Sequence, residues 1–196
     1  MTGAEQVKDS KKADRHSVWV LRAGWHDPKT RRFHPPATVA RIVAPYQADS
    51  PVAVEHASLL ALLYGDCLMA VEINNSGSYW NYELLNAGRT LYHRIQYDRE
   101  RQTNRSVLGW QTNPTTRPII VEHLAALLRA SADPDQADAG CHIYCPHALQ
   151  ECLTFVVDPR GTPRAQDGCY DDDVMALAIG FFLVEACASV FGAPAG

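Results

Sequence analysis

The stretch Gly168-Cys169-Tyr170-Asp171-Asp172-Asp173-Val174-Met175-Ala176-Leu177-Ala178-Ile179-Gly180 places three consecutive carboxylates directly before an apolar run. The apolar run is typical of a buried helix. Adjacent carboxylates repel one another, so they persist where a helix N-terminus, solvent or a bound cation offsets the repulsion. Two interpretations therefore stay open, which are an acidic first helical turn and a site for divalent metal ions.

A second acidic position lies in the segment Cys67-Leu68-Met69-Ala70-Val71-Glu72-Ile73-Asn74-Asn75-Ser76-Gly77. Residues 68–73 are predicted to form a buried strand that ends in a turn. An ionised Glu72 without a partner would cost several kcal/mol there, so it should lie at an exposed strand end, pair with an arginine, or bind a cation. Because two acidic segments occur in one small chain, we favour the metal site.

Four motifs together resemble the C-terminal nuclease domain of tailed-phage terminase large subunits. The resemblance runs from about residue 14 to about residue 190, and no single motif is decisive. In chain order the motifs are Val71-Glu72-Ile73-Asn74-Asn75-x-Gly77, Thr115-Thr116-Arg117-Pro118, Leu153-Thr154-Phe155 and Tyr170-Asp171-Asp172-Asp173-Val174-Met175-Ala176-Leu177-Ala178.

The resemblance implies an α/β protein with an RNase H-like mixed β-sheet flanked by helices. It implies cleavage of double-stranded DNA during genome packaging, with two Mg²⁺ or Mn²⁺ ions. In such a two-metal site, one ion lowers the pKa of an attacking water and the other stabilises the leaving oxygen. Glu72 and Asp171 would be catalytic metal ligands, with Asp172 as a further catalytic acid beside them that completes or tunes the metal site. The implied partners are a packaging ATPase domain, a portal and a small terminase subunit.

Three further residues receive an expected role. Arg117 is the best candidate for a contact to a DNA phosphate. Asn75 would approach DNA, although Asn74-Asn75-Ser76-Gly77 also has the composition of an ordinary turn. Asp173 falls where the family usually has an apolar residue, so we predict that it faces solvent.

One departure from the family pattern concerns the N-terminus. The family's first catalytic Asp lies on an opening strand, whereas residues 14–21 resemble the second strand and residues 1–13 are polar with no strand pattern. We therefore expect either a fragment of a longer protein or a start at an internal methionine. Asp9 and Asp14 are weaker candidates to replace the lost ligand.

Two alternatives follow from that departure and from the shared fold. One is a catalytically silent, truncated module that binds DNA or docks on a portal. The other is a related RNase H-like nuclease, such as a junction resolvase or a transposase core. Cleavage of branched DNA would distinguish the second alternative.

Composition favours one domain. The 196 residues are 46% hydrophobic and 20% charged, which suffices for one substantial core. We predict a single domain over residues 1–196, with a flexible stretch at 1–13 and a tail at 191–196. The sequence shows no signal peptide, no convincing membrane span and no GxxxxGK[ST] loop for ATP hydrolysis. We therefore expect a cytoplasmic protein, in the host cytoplasm if it is viral or prophage-encoded.

Charge is unevenly distributed although the net charge is only −4. Residues 89–117 hold six arginines against two acids, and residues 133–173 hold nine acids against two arginines. The basic stretch would suit phosphates and the acidic one cations, but both could be solvated loops.

Cys141-His142-Ile143-Tyr144-Cys145-Pro146-His147 offers four candidate zinc ligands, but their spacing is poor. We predict that Cys67, Cys152, Cys169 and Cys187 are small core residues.

Periodicity and turn residues predict the remaining elements. The predicted strands cover residues 17–23, 38–45, 68–73, 90–95, 142–145 and 154–158. The predicted helices cover residues 51–63, a short segment ending at Asn86, residues 117–130, a brief segment before Thr154, and the apolar run from Val174.

Overall fold

The computed structural model describes residues 15–45, 50–74, 76–98, 100–158 and 161–187. Within these ranges it contains five α-helices and eight short strands. The helices are α1 (Pro51–Leu63), α2 (Gly77–Asn86), α3 (Thr116–Ala132), α4 (Pro146–Leu153) and α5 (Asp172–Ala186). The strands are β1 (Arg15–Arg22), β2 (Trp25–His26), β3 (Phe33–His34), β4 (Ala37–Pro45), β5 (His93–Asp98), β6 (Thr103–Leu108), β7 (Phe155–Val157) and β8 (Pro163–Ala165).

The strands pair as four antiparallel two-stranded units, which are β1–β4, β2–β3, β5–β6 and β7–β8. The β1–β4 pair is the longest, and its register shifts between Val20 and Leu21. The short β2–β3 hairpin lies in the connection between these two strands. Helix α1 begins as the sequence predicted, because Ser50 accepts a hydrogen bond from the backbone N–H of Ala53 at 3.2 Å.

The segment of residues 68–73, called here the Glu72 segment, is extended but forms no regular strand. It makes isolated parallel bridges, Met69 with Leu91 and Glu72 with Trp110. Ala37 and His142 form a similar bridge. The predicted strands at 68–73 and 142–145 are therefore reduced to single bridges, and the sheet is less regular than the sequence predicted.

Two other predictions differ from the structure. The basic stretch of residues 89–117 is not one loop, because the β5–β6 hairpin occupies most of it. The strand predicted at 90–95 begins later, at His93. After β7, the backbone N–H of Thr162 donates to the Asp158 carboxylate at 2.9 Å.

Apolar side chains form two clusters on opposite sides of β1. One contains residues from α3, α4 and α5, with Trp19 and Leu21 packed against it. The other contains residues from α1 and α2, with Val18, Met69 and Val71 packed against it. Because successive side chains of a strand point to opposite faces, β1 contributes to both clusters. The structure is thus a mixed α/β arrangement in which helices cover both faces of β1.

None of the described helices combines the length and the apolar character that crossing a membrane requires.

Two glycines allow other backbone segments to approach the Glu72 segment closely. A Cβ atom on Gly77 would collide with the carbonyl oxygen of Glu72, and one on Gly109 would lie 2.7 Å from the carbonyl oxygen of Val71. Gly109 also has a φ of 77°, which disfavours other residues. These contacts fix the backbone that carries the Glu72 side chain.

We expect Gly77→Ala to lower the free energy of unfolding by about 1–3 kcal/mol, because the added methyl group overpacks against the Glu72 backbone. Urea unfolding followed by circular dichroism measures the effect. Ser78→Ala, at the next and exposed position of α2, is the matched control. Equal stability of Gly77→Ala and the control would contradict the close approach.

Candidate functional site

The three aspartates at the start of α5 have three different environments. Asp171 is the N-cap residue of α5 and makes no side-chain capping bond. Instead, its carboxylate pairs with the guanidinium of Arg117 at 2.8 Å. The side chain of Asp171 remains 36% exposed, so it is the most accessible of the three.

Asp172 is turned towards β1. Its carboxylate accepts a bond from the Arg15 side chain at 3.1 Å, and Arg15 also pairs with Glu151. The Arg15 guanidinium lies 3.7 Å from the centre of the Tyr170 ring. Burial raises the pKa of the Asp172 carboxyl, and the bonds from Arg15 oppose that increase. Asp172 is therefore held in an ion pair at the edge of the structure's interior.

Asp173 is fully buried, so the prediction that it faces solvent is wrong. Its carboxylate accepts hydrogen bonds from Ser17 at 2.5 Å, from Trp19 at 3.3 Å and from Arg41 at 3.1 Å. A second nitrogen of Arg41 completes the ion pair. The strands β1 and β4 supply these partners, and sequence spacing alone does not connect them with α5.

Glu151 was missed by the sequence analysis. It lies on α4, accepts the backbone N–H of Asp173 at 2.9 Å and pairs with Arg15. Burial raises the pKa of the Glu151 carboxyl, the nearby Asp173 raises it further, and Arg15 opposes both effects. The signal that could have identified Glu151 is that it is a lone Glu on the buried side of a short helix.

Glu72 is half-buried and lies where the Glu72 segment meets Trp110. The amide of Asn74 donates to the Glu72 carboxylate at 3.2 Å and to the backbone carbonyl of Thr112 at 2.9 Å. This tie holds the Glu72 side chain next to the loop that leads into α3.

Arg117 connects that same loop with Asp171. Its backbone N–H donates to the carbonyl of Asn113 at 2.9 Å, and its side chain donates to the carbonyl of Pro163 at 3.2 Å as well as to Asp171. Arg117, the predicted phosphate contact, thus forms an ion pair with Asp171, a predicted metal ligand. Asn75, the other predicted DNA contact, lies outside the described residues.

Glu72, Asp171, Asp172 and Arg117 all line one cavity of about 1420 Å³. The cavity extends along β1, the Glu72 segment and α5. The fold therefore brings the residues that the sequence singled out to one shared surface, although they are up to 100 positions apart in the chain.

The donor chemistry of this surface suits Mg²⁺ or Mn²⁺ in kind, since both ions prefer carboxylate oxygens. All three aspartates pair with arginines, and the most accessible acidic donors are Glu72 and Asp171, whose side chain is 36% exposed. Among the described residues, no group of three or more His, Cys, Asp or Glu side chains is placed to hold a metal ion. The described carboxylates therefore do not by themselves make up a metal site.

The described candidate zinc ligands at residues 141–147 likewise form no group that could hold a metal ion. Burial raises the pKa of the Cys141 thiol to about 11, which makes this side chain a poorer source of the thiolate that zinc binds.

Comparison with known proteins supports a nuclease-like fold. The sequence matches no protein-family profile, and no curated protein is significantly similar to it. Among solved structures, the chain is similar to the large terminase nuclease from thermophilic phage G20c, which was crystallised with bound cobalt. The TM-score is 0.54 at 15% sequence identity, over 86% of this chain and 81% of that one. This likeness concerns the fold, which is a mixed α/β arrangement consistent with a nuclease domain.

We expect Asp173→Ala to lower the free energy of unfolding by about 3–5 kcal/mol, because it leaves Arg41 with an uncompensated charge. Ser17→Ala, which removes one neutral partner of the same carboxylate, should cost about 1 kcal/mol. Urea unfolding measures both. Asp135→Ala, at an exposed loop acid, is the control, and a similar loss there would show that the network does not stabilise the fold.

The raised pKa of Asp172 makes a testable contribution to pH dependence. A folded-state pKa above the ordinary value of 3.8 means that the folded protein binds more protons than the unfolded chain in that window. Stability is then present at lower pH and is lost as pH rises from about 3.8 through the raised folded pKa. As the pH rises above about 3.8, Asp172→Asn should therefore lose less stability than the unmodified protein.

Urea titrations at several pH values measure this difference, with Asp135→Asn as the control. An unchanged pH slope in Asp172→Asn would show that burial does not disfavour the ionised form of Asp172.

Proposed function

We propose that this chain is a terminase-like, RNase H-like nuclease domain that cleaves double-stranded DNA with Mg²⁺ or Mn²⁺. The observation that carries the proposal is the shared cavity lined by Glu72, Asp171 and Arg117, in a chain whose fold is similar to that of a phage terminase nuclease. In this proposal residues 1–196 form one domain, which acts in the host cytoplasm beside a packaging ATPase domain, a portal and a small terminase subunit.

Glu72 and Asp171 would hold the cations in this proposal, because they are the acidic groups of this surface whose carboxylate oxygens are not fully occupied by arginines. Bound divalent ions supply charge stabilisation for the attacking and leaving oxygens of a phosphodiester. Asp172 keeps its pairing with Arg15 and so orients the start of α5 beside the ligands. Asn74 fixes the Glu72 carboxylate through its bond to the Thr112 carbonyl.

Arg117 has two alternative partners in this proposal. Without DNA it neutralises Asp171 across 2.8 Å. When a cation takes the Asp171 carboxylate, Arg117 becomes available to a DNA phosphate, for which its planar guanidinium is well suited. Asn75 would be a second DNA contact. On the β5–β6 hairpin, the exposed arginines Arg101 and Arg105 are further candidates for phosphate contacts.

A specific observation favours a second candidate, a catalytically silent module that binds DNA. The described carboxylates do not form a group of three, and arginines already pair with each of the three consecutive aspartates. A domain with an incomplete ligand set would still offer Arg117 and the hairpin arginines to phosphates. DNA binding without cleavage is the expected behaviour of such a module.

The test is incubation of supercoiled plasmid with the purified chain and Mn²⁺. The nuclease proposal predicts nicked and linear DNA, and a loss of at least about 100-fold in rate for the Glu72→Ala, Asp171→Ala double variant, as expected when charge-stabilising groups are removed. A Glu55→Ala, Asp135→Ala double variant removes two exposed acids away from the cavity and should keep full activity.

Fluorescence anisotropy with a labelled DNA duplex separates the candidates. Binding that weakens with salt, without cleavage, supports the silent module. Equal cleavage by the unmodified chain and the Glu72→Ala, Asp171→Ala variant would show that another site or a contaminant acts. Absence of both binding and cleavage would overturn both candidates.

A further inference from the structure

The β2–β3 hairpin concentrates positive charge in a chain whose net charge is −4. Residues 22–34 hold four lysine or arginine side chains against a single acid, Asp27. Three of the four, Lys29, Arg31 and Arg32, lie close together at the tip of the hairpin and are exposed. The charge of the tip is thus opposite in sign to that of the whole chain.

The cations of the tip have no acidic partners within the part of the chain that the structure describes. No salt bridge there involves Lys29, Arg31 or Arg32. By contrast Arg129, whose side chain is also exposed, pairs with Glu122 at 2.5 Å. Positive charge that the protein does not itself neutralise is available to a polyanion.

Asp27 rigidifies the tip through its backbone. The Asp27 carboxylate accepts the backbone N–H groups of Lys29 at 2.8 Å and of Thr30 at 3.3 Å. The backbone N–H of Asp27 donates to the carbonyl of Arg32 at 2.9 Å, and the N–H of Arg31 donates to the Asp27 carbonyl at 2.7 Å. These bonds hold the tip in one conformation before a ligand binds, which reduces the entropy lost on binding.

Aromatic rings brace the base of the hairpin. The Trp25 and His34 rings are stacked with their centres 4.7 Å apart, and the guanidinium of Arg22 lies 5.8 Å from the centre of the Trp25 ring. His26 and Phe33 make a second ring contact at 5.0 Å. Because Trp25 already stacks on a ring of the protein, the hairpin offers cations more than open aromatic faces. This favours contacts to phosphates over stacking with unpaired bases.

The hairpin follows the end of β1 that is opposite to the acidic residues. Arg15, the first residue of β1, bonds to Asp172, whereas Arg22 is its last residue. The eight residues of β1 span about 25 Å at a rise of about 3.3 Å per residue. That distance corresponds to about seven base-pair steps of about 3.4 Å. Trp25 and Asp171 line the same cavity, so one duplex along this surface can reach both ends of β1.

We propose that the tip of the β2–β3 hairpin is a second DNA contact, in which Lys29, Arg31 and Arg32 bind phosphates of a duplex about 25 Å from the acidic residues. This inference rests on the proposed function, because it takes double-stranded DNA as the ligand. It assigns to the hairpin a role that needs neither metal nor cleavage. Contacts to phosphates carry no base information, so this binding is independent of DNA sequence.

The test is fluorescence anisotropy with a labelled duplex of about 24 base pairs and no metal, which measures binding apart from cleavage. The Lys29→Gln, Arg32→Gln double variant should bind about tenfold more weakly. The slope of log affinity against log salt should fall by about two, because two phosphate contacts are lost. Arg31 is left unchanged, since its φ of 58° makes substitutions there strained.

Two controls separate this contact from a general effect of charge. Lys29→Arg, Arg32→Lys keeps both charges and should bind DNA within about twofold of the unmodified chain. Arg129→Gln removes an exposed charge on α3 and should leave the salt slope unchanged. Equal affinity of the neutralised double variant and the unmodified chain would overturn the proposal. An equal loss per charge removed in Arg129→Gln would overturn it as well.

Two further results would overturn the assignment to duplex DNA. One is the absence of duplex binding by the unmodified chain, and the other is tighter binding of a single strand that is lost in the same double variant. Plasmid cleavage with Mn²⁺, measured in parallel, lets the two proposals fail separately. Cleavage with hairpin-independent binding removes the hairpin contact alone, and hairpin-dependent binding without cleavage removes the nuclease activity alone.

Discussion

The position of α5 depends on one buried ionised group, Asp173. An unpaired carboxylate inside the protein would cost several kcal/mol, and here Ser17, Trp19 and Arg41 satisfy it from β1 and β4. The packing of α5 in this register therefore requires both strands. The same contact sets the directions of Asp171 and Asp172, because they precede Asp173 at the beginning of the same helix.

Three arginines from three different elements explain how three consecutive aspartates coexist. Arg117 of α3 pairs with Asp171, Arg15 of β1 with Asp172, and Arg41 of β4 with Asp173. The repulsion that suggested bound cations is thus largely offset within the protein itself. What distinguishes Asp171 is exposure, since its ion pair is the most open to solvent and is screened most. A cation or a phosphate can compete for that pair at a lower cost than for the other two.

The sequence by itself determined the elements with strong local signals. Helix α1 follows from Pro51 and the Ser50 cap, the β1–β4 pair from apolar runs flanking a turn-rich connection, and α5 from an apolar run after acidic residues. It also selected Glu72, Asp171, Asp172 and Arg117, which the fold places around one cavity. Local pattern could not assign their partners, because the pairs of Asp172 and Asp173 join residues more than 130 positions apart. Only the tertiary structure decided that Asp173 is buried and that Glu151 belongs to its network, since each depends on which distant backbone lies alongside.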